Sequence, residues 1–157
     1  MVKFRRVAVG GTFDSLHKGH VKLLREAFLR GEEVVIGLST DRLAGELHKT
    51  HRVDSYESRK KAVVGLLERE GLASRARIVP IDSREGLAAE VPDLDAILVS
   101  PETLPGAARI NELRRWRGLN ELEVIHVELV MAVDGKPVST SRIRSGEIDR
   151  EGRALPC

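Results

Sequence analysis

The chain has 157 residues, of which 41% are hydrophobic and 32% charged, and its formal net charge is +2 at pH 7. This composition predicts a soluble globular protein with one domain over residues 1–157 and a polar tail over 146–157. It argues against a membrane protein, because no apolar run reaches the thickness of a bilayer. It also argues against nucleic-acid binding, because the basic residues are dispersed and only 3% of residues are aromatic.

The rare residue types predict a compartment and a habitat. The single cysteine, Cys157, allows no internal disulfide, and the N-terminus has no signal-peptide core, so we expect a reducing cytoplasm. Glutamine is absent and the only asparagines are Asn111 and Asn120, while charged residues are abundant. Depletion of thermolabile amides favours a thermophilic source.

The first half of the chain alternates strand and helix patterns. Phe4, Val7 and Val9 alternate with Arg5, Arg6 and Ala8 and predict a first strand. The next predicted elements are a helix over about 17–30 stopped by Gly31, a buried strand over 34–38, a loop or short helix over 41–53, a helix that follows a capping box at 54–57 and ends at Gly71, and a strand over 76–81.

The second half continues the alternation. The predicted elements are a short helix over 84–90, a strand over 95–99, a helix that Thr103 can cap, that carries Ile110, Leu113 and Trp116 and that stops at Gly118, a strand that begins over 122–127 and can continue through Met131, and a last helix over 139–145. Together they predict an α/β fold, a Rossmann-like open five-stranded parallel sheet with helices on both faces.

The turn between the first strand and the first helix is the strongest functional signal. Its sequence runs Gly-Gly-Thr-Phe-Asp-Ser-Leu-His-Lys-Gly-His from position 10 to position 20. Phosphates bind at such strand-to-helix turns, where glycines let a ligand approach the backbone and helix N–H groups point outward. His17 and His20 are three residues apart, so we expect them to share a face and to form a cationic, donor-rich site for an oligophosphate.

Paired histidines are also typical of half of a metal site. The only cysteine lies at the far terminus and no third ligand is evident, so no metal site is predicted.

A second anion site is predicted near the C-terminus. Residues 137–144 read Pro-Val-Ser-Thr-Ser-Arg-Ile-Arg, so three successive hydroxyl side chains precede arginines at a helix start. Standing alone, the run is more typical of an ordinary N-cap with surface arginines.

The two runs together resemble the nucleotidyltransferase superfamily, whose motifs are G-T-F-D followed by H-x-G-H and, downstream, I-S-S-T-x-I-R. The segments 55–61, 99–103, 135–139 and 142–149 narrow the resemblance to the archaeal phosphopantetheine adenylyltransferases. They are also similar to the matching domain of eukaryotic coenzyme A synthase. The chain departs from the bacterial enzymes at His17 and over 100–103.

The resemblance implies transfer of AMP from ATP to 4′-phosphopantetheine, giving dephospho-coenzyme A and pyrophosphate, with Mg²⁺ arriving on the ATP. The implied catalytic residues are His20, His17, Thr12 and Lys49, with Lys18 as the rival lysine. The implied ATP-binding residues are Gly10, Gly11, Thr12, Phe13, His17, His20, Ser100, Asn111, Ser139, Thr140, Ser141 and Arg142. The implied acceptor-binding residues are Thr12, Ser39 and Lys49.

Two other functions stay open from the sequence. One is a related adenylyl- or cytidylyltransferase acting on glycerol phosphate, nicotinamide mononucleotide or flavin mononucleotide. The other is a nucleotide-binding regulator without catalysis, which the intact motif residues disfavour. We expect a monomer, because no long exposed apolar stripe is evident.

Overall fold

The computed structural model describes residues 4–48, 51–101, 103–128 and 130–155. The strands are β1 (Phe4–Gly11), β2 (Gly31–Ser39), β3 (Ala76–Ile81), β4 (Ala96–Val99) and β5 (Glu123–His126). The helices are α1 (Lys18–Arg30), α2 (Asp41–Leu47), α3 (Tyr56–Arg69), α4 (Leu104–Trp116) and α5 (Thr140–Arg144), with 3₁₀ turns at Ala73–Arg75 and Gly86–Ala89. Within the described ranges, no helix is long and apolar enough to cross a membrane.

All five strands are parallel and lie in the order β3-β2-β1-β4-β5. On one face, Val7 and Val9 of β1 pack with α1 and α3, and on the other Ala8 packs with α4. Alternate residues of a strand point to opposite faces, so helices cover both sides of the sheet. The predicted fold class is confirmed.

Gly31 ends α1 as predicted, but for a different reason. Its φ of −120° is extended, and the same residue begins β2. A Cβ at this position would lie 2.7 Å from Cγ2 of Val7, so the close approach of β1 demands a glycine here.

The apolar residues of α4 do not all face the core. The helix buries Ala107, Ile110 and Arg114, while Trp116 is 90% exposed. Six residues beyond Ile110 the helix has turned about 120° away from the buried stripe. The predicted capping box before α3 is also absent, because Ser55 caps the helix alone by accepting the Ser58 amide at 3.2 Å.

The segment after β5 forms a small unit of its own. Met131 pairs with Pro137 in an isolated antiparallel bridge, so it does not extend β5. Ala132, Val138 and Ile148 form a separate buried cluster. The predicted tail docks on the first turn of α1, since the amide of Lys18 donates to the carbonyl of Arg150 at 2.9 Å.

Candidate active site at the carboxyl edge of the sheet

The turn between β1 and α1 holds an uncommon backbone conformation. Phe13 and Ser15 have φ values of 52° and 48°, in the left-handed region that non-glycine residues seldom adopt. Such backbone strain concentrates at functional sites. The Phe13 side chain is buried, so only its backbone is available to the ATP for which it was predicted. A Cβ on Gly11 would lie 3.1 Å from the Phe13 ring, whereas Gly10 has room around it.

His17 and His20 form a reciprocal cap at the start of α1. The Nδ1 atom of His17 accepts from the amides of Gly19 at 3.0 Å and His20 at 3.4 Å. In return, the amide of His17 donates to Nδ1 of His20 at 3.2 Å, and the two rings stack 3.7 Å apart. A Cβ on Gly19 would lie 2.8 Å from the His17 ring. The H-x-G-H spacing thus builds a helix cap with one imidazole pressed against a glycine.

The cap fixes which nitrogen of each ring carries the proton. Because both Nδ1 atoms accept backbone hydrogen bonds, a neutral imidazole must hold its proton on Nε2. Burial lowers the pKa of His17 to about 4. Burial and the nearby His17 also hold the pKa of His20 well below its ordinary value. The expected cationic site is therefore corrected: near pH 7 the pair presents two neutral Nε2–H donors.

Thr12 lies at the carboxyl end of β1 between two side chains. Its Oγ1 atom is 2.9 Å from Nε2 of His48 and 3.4 Å from Oγ of Ser39. Ser39 is buried and donates to the carbonyl of Gly11 at 3.3 Å. Ser39, predicted to bind the acceptor, is therefore a buried neighbour of the Thr12 hydroxyl.

Arg59 ties Thr12 to the rest of the site. This buried guanidinium donates to the carbonyl of Thr12 at 2.9 Å and to that of Asp54 at 2.8 Å. Its third contact is the carboxylate of Asp41 at the start of α2, 3.1 Å away. Arg59 therefore fixes the backbone of the turn and is not open to a ligand.

The second motif reaches the first through α5. Ser139 caps α5 by accepting the amide of Arg142 at 3.2 Å, and Ser141 is exposed. Thr140 donates its hydroxyl proton to the carbonyl of Asp14 at 2.9 Å, across 126 positions of sequence. Two predicted phosphate sites thus lie side by side.

The arginine that contacts the opening turn is Arg144, which we did not predict. It donates to the buried carboxylate of Asp14 from Nη2 at 2.9 Å and from Nε at 3.2 Å, and it pairs with Asp54 at 3.2 Å. Burial alone would raise the pKa of Asp14, but the bonds from Arg144 and from the Asp54 amide outweigh it and hold that pKa below its ordinary value. The signal was present, since I-S-S-T-x-I-R aligned at Ser139 puts its arginine at 144.

Arg142, the arginine we predicted for ATP, is engaged within its own segment. It contacts the carboxylates of Glu147, at 2.7 Å, and Asp134, and the carbonyl of Pro137 at 2.9 Å. In this conformation its Nε, Nη1 and Nη2 atoms are all engaged, so a role for Arg142 toward ATP requires these contacts to change.

The remaining predicted residues lie at the edge of the candidate site or outside it. Ser100 follows β4, and its amide donates to Oγ1 of Thr103 at 3.0 Å. The side-chain amide of Asn111 is paired at both ends with the backbone of Leu122, at 2.7 and 3.0 Å, which ties α4 to β5. Lys49 lies outside the described residues.

Two cavities lie near the opening turn, one lined in part by His48, the neighbour of Thr12, and the other by Gly10. One, of about 370 Å³, is lined by Asp41, Ala44, Gly45, His48, His51, Val53, Asp54 and Ser55. The other is an apolar crevice of about 50 Å³, with Gly10, Gly37, Ile81, Arg84, Ile97 and Ile110 in its lining. Among the described residues, no three His, Cys, Asp or Glu side chains are placed to hold a metal ion.

Comparison with known proteins identifies relatives over the whole length. Residues 8–146 match the Cytidylyltransferase-like family. The phosphopantetheine adenylyltransferase of Methanopyrus kandleri is 46% identical over 157 residues, covering 100% of this chain and 96% of that protein. Its namesake from Thermococcus kodakarensis is 40% identical, covering 98% of this chain and 92% of that protein. A crystal structure of a protein of unknown function from Archaeoglobus fulgidus superposes with a TM-score of 0.69 at 33% identity, covering 78% of this chain and 88% of that one.

Proposed function

The chain belongs to the cytidylyltransferase-like family as one of the phosphopantetheine adenylyltransferases, and on that premise we propose that it transfers AMP from ATP to 4′-phosphopantetheine. The products are dephospho-coenzyme A and pyrophosphate. The observation that carries the proposal is the reciprocal cap of His17 and His20 at the N-terminus of α1, in the turn that follows Thr12, which uses both Nδ1 atoms and leaves both Nε2 atoms outside the cap. This is a site for bridging and terminal phosphate oxygens.

The chemistry requires no general base. The acceptor is a phosphate anion, so one of its oxygens attacks the α-phosphorus of ATP as it is. The bond from that phosphorus to the bridging oxygen breaks, and the electron pair leaves with pyrophosphate. Catalysis then consists of positioning and of stabilising charge. We assign His17 and His20 to the α- and β-phosphates and Thr12 to the acceptor and α-phosphates.

The β/γ end of ATP is assigned to α5. Ser139, Thr140 and Ser141 are the hydroxyl residues of that segment, and the contact between Thr140 and Asp14 supports their closeness to the opening turn. Arg144 is the guanidinium nearest that turn through its pairing with Asp14, so we add it to the predicted ATP-binding set beside Arg142. Ser100 and Asn111 stay candidates for the adenosine side.

The acceptor arm is assigned to the apolar crevice beside Gly10. Its lining of Ile81, Ile97 and Ile110 suits an uncharged, flexible chain, and Arg84 lies at the same crevice. Lys49 and Ser39 remain assigned to the acceptor side of Thr12. Gly10 and Ile81, in the lining, lie at the carboxyl ends of β1 and β3, the edge of the sheet where ligands of parallel α/β folds bind.

Mg²⁺ is assigned as part of the MgATP substrate. The buried carboxylate nearest the site, Asp14, is already paired with Arg144 and the Asp54 amide. Phosphate oxygens and waters are therefore the main ligands of the magnesium ion, as is usual for magnesium bound to nucleotides. We further propose a cytoplasmic, monomeric enzyme working at high temperature.

The test is pyrophosphate release with MgATP across four acceptors: 4′-phosphopantetheine, glycerol 3-phosphate, nicotinamide mononucleotide and flavin mononucleotide. We expect turnover with phosphopantetheine alone, and with ATP rather than CTP, rising as the assay is heated. His20→Ala should lower turnover by about 10²-fold or more. Turnover with another acceptor would overturn the acceptor assignment, and ATP binding without any turnover would favour the regulator.

A further inference from the structure

We propose that His48, on the loop after α2, is a positioning residue that sets the direction of the Thr12 hydroxyl during transfer. His48 is the first residue beyond α2, and its amide donates to the carbonyl of Ala44 at 2.9 Å, which anchors its backbone. Its Nε2 atom lies 2.9 Å from Oγ1 of Thr12, 36 positions away in sequence. The inference rests on the proposed function, in which Thr12 contacts the reacting phosphates.

The Thr12 hydroxyl has one proton and can donate it to more than one acceptor. Ser39 Oγ is 3.4 Å away and is a poor partner at that distance. Phosphate oxygens only accept hydrogen bonds, so Thr12 must donate its proton to them. Its own oxygen is then free to accept, and His48 is the side chain in the described structure that is close enough to donate to it.

His48 must therefore donate a hydrogen bond to Thr12, and Thr12 must donate one to the phosphate. An Nε2–H on His48, in the neutral ring or the imidazolium, donates to Oγ1, and the Thr12 proton points toward the substrate. Each bond in such a chain polarises the next and strengthens it. Without His48, the hydroxyl is free to rotate toward Ser39, and the transition state loses an aligned donor.

The surroundings of His48 let this idea be tested without unfolding the protein. Its side chain is half-buried beside the cavity of about 370 Å³, so a change there removes little core packing. His51 lies on the same loop, with its ring centre 5.4 Å from that of His48, and its Nδ1 atom contacts the carbonyl of Arg52 at 2.9 Å. A substitution of His51 therefore offers a control on the same stretch of chain.

The experiment measures kcat and KM for AMP transfer in His48→Leu, His48→Gln and His51→Leu. We expect His48→Leu to lower kcat about ten-fold, the size of one lost hydrogen bond at the reacting atoms, with KM for ATP nearly unchanged. His48→Gln keeps an N–H at that position and should restore most of kcat, and His51→Leu, which leaves the contact between His48 and Thr12 in place, should lower kcat much less than His48→Leu does. Equal losses in His48→Leu and His48→Gln would overturn the proposal.

A double-mutant cycle with Thr12→Val separates this inference from the function on which it rests. If His48 acts through the Thr12 hydroxyl, His48→Leu should change nothing further once that hydroxyl is gone. The same loss in both backgrounds would overturn it. The nitrogen-15 resonance of His48 Nε2 gives a readout that needs no turnover. Thr12→Val should shift it, and an unchanged resonance would overturn the contact even if a different acceptor proved to be the substrate.

Discussion

The two ring nitrogens of His17 have different surroundings in the opening motif. The Nδ1 atom of His17 caps the start of α1, and its Nε2 atom takes no part in that cap. Gly19 permits the cap because any side chain there would meet the ring. In the proposed phosphate site, the fixed tautomer rather than a positive charge would favour oxygens that accept hydrogen bonds.

The low pKa of His17 predicts a loss of stability in mild acid. Above pH 6.5 the histidine is neutral in both the folded and the unfolded chain, so it has no effect. As the pH falls from 6.5 toward the folded pKa of about 4, the unfolded chain binds a proton that the folded one does not. By pH 4 the free energy of unfolding should drop by on the order of 3 kcal/mol from this residue.

Urea unfolding from pH 7.5 to pH 4.5 checks this, with His17→Asn as the comparison. Asparagine is a good N-cap and does not titrate, so the variant should fold and lose less stability over that range. The lowered pKa of Asp14 places the effect of that carboxyl below this window. If the free energy of unfolding fell equally steeply with decreasing pH in the two proteins, the burial of a neutral His17 would be contradicted.

At the scale of elements, the site depends on a short helix held against a distant turn. The five residues of α5 bring Thr140 to the carbonyl of Asp14 and Arg144 to its carboxylate. Arg144 meets that carboxylate through two nitrogens, a geometry that only a guanidinium offers.

Arg144→Lys should therefore be costly although it keeps the charge. An ammonium cannot replace the forked contact, and Asp14 is almost fully buried, so we expect a loss of about 2 kcal/mol in the free energy of unfolding. Arg153→Lys is the matched control in the same segment, where Arg153 meets Asp149 at 2.7 Å on the surface. That change should cost less than about 0.5 kcal/mol. Comparable losses in the two variants would contradict a special role for the Asp14 pair.

The elements were predictable and several of their contacts were not. All five strands follow from apolar runs between turn residues, and β3 has the predicted bounds of 76–81. The periodic pattern could not show that Gly31 meets Val7 or that Asn111 pairs with Leu122, because both contacts depend on how elements pack. The reach of Arg144 to Asp14 was equally hidden, although the motif alignment pointed to that arginine.

For the whole molecule, the parallel sheet explains why distant residues share one site. The carboxyl ends of β1, β2 and β4 lie at one edge, where Thr12 and Ser100 follow β1 and β4 and Ser39 ends β2. The segment 130–155 has a small buried cluster of its own, made of Ala132, Val138 and Ile148. It contacts the opening turn and α1 through Thr140, Arg144 and Arg150, and ATP held between α1 and α5 would add to these contacts.

Hydrogen exchange can test whether the substrate strengthens the contact between the segment 130–155 and the rest of the fold. With little buried apolar area, the segment 130–155 should open at a lower free energy than the central strand β1, whose neighbours cover it on both faces. The amides of Val133 and Lys18, which donate to Gly152 and Arg150, report on that opening.

ATP at about 100 times its dissociation constant should raise the protection of these two amides by about 2.7 kcal/mol if it binds only the closed form. His20→Ala, which removes a donor to the phosphates, should reduce this gain at the same ATP concentration. Protection that rises in β1 but not at Val133 would mean that ATP binds without α5, and the second motif would then have no part in holding the triphosphate.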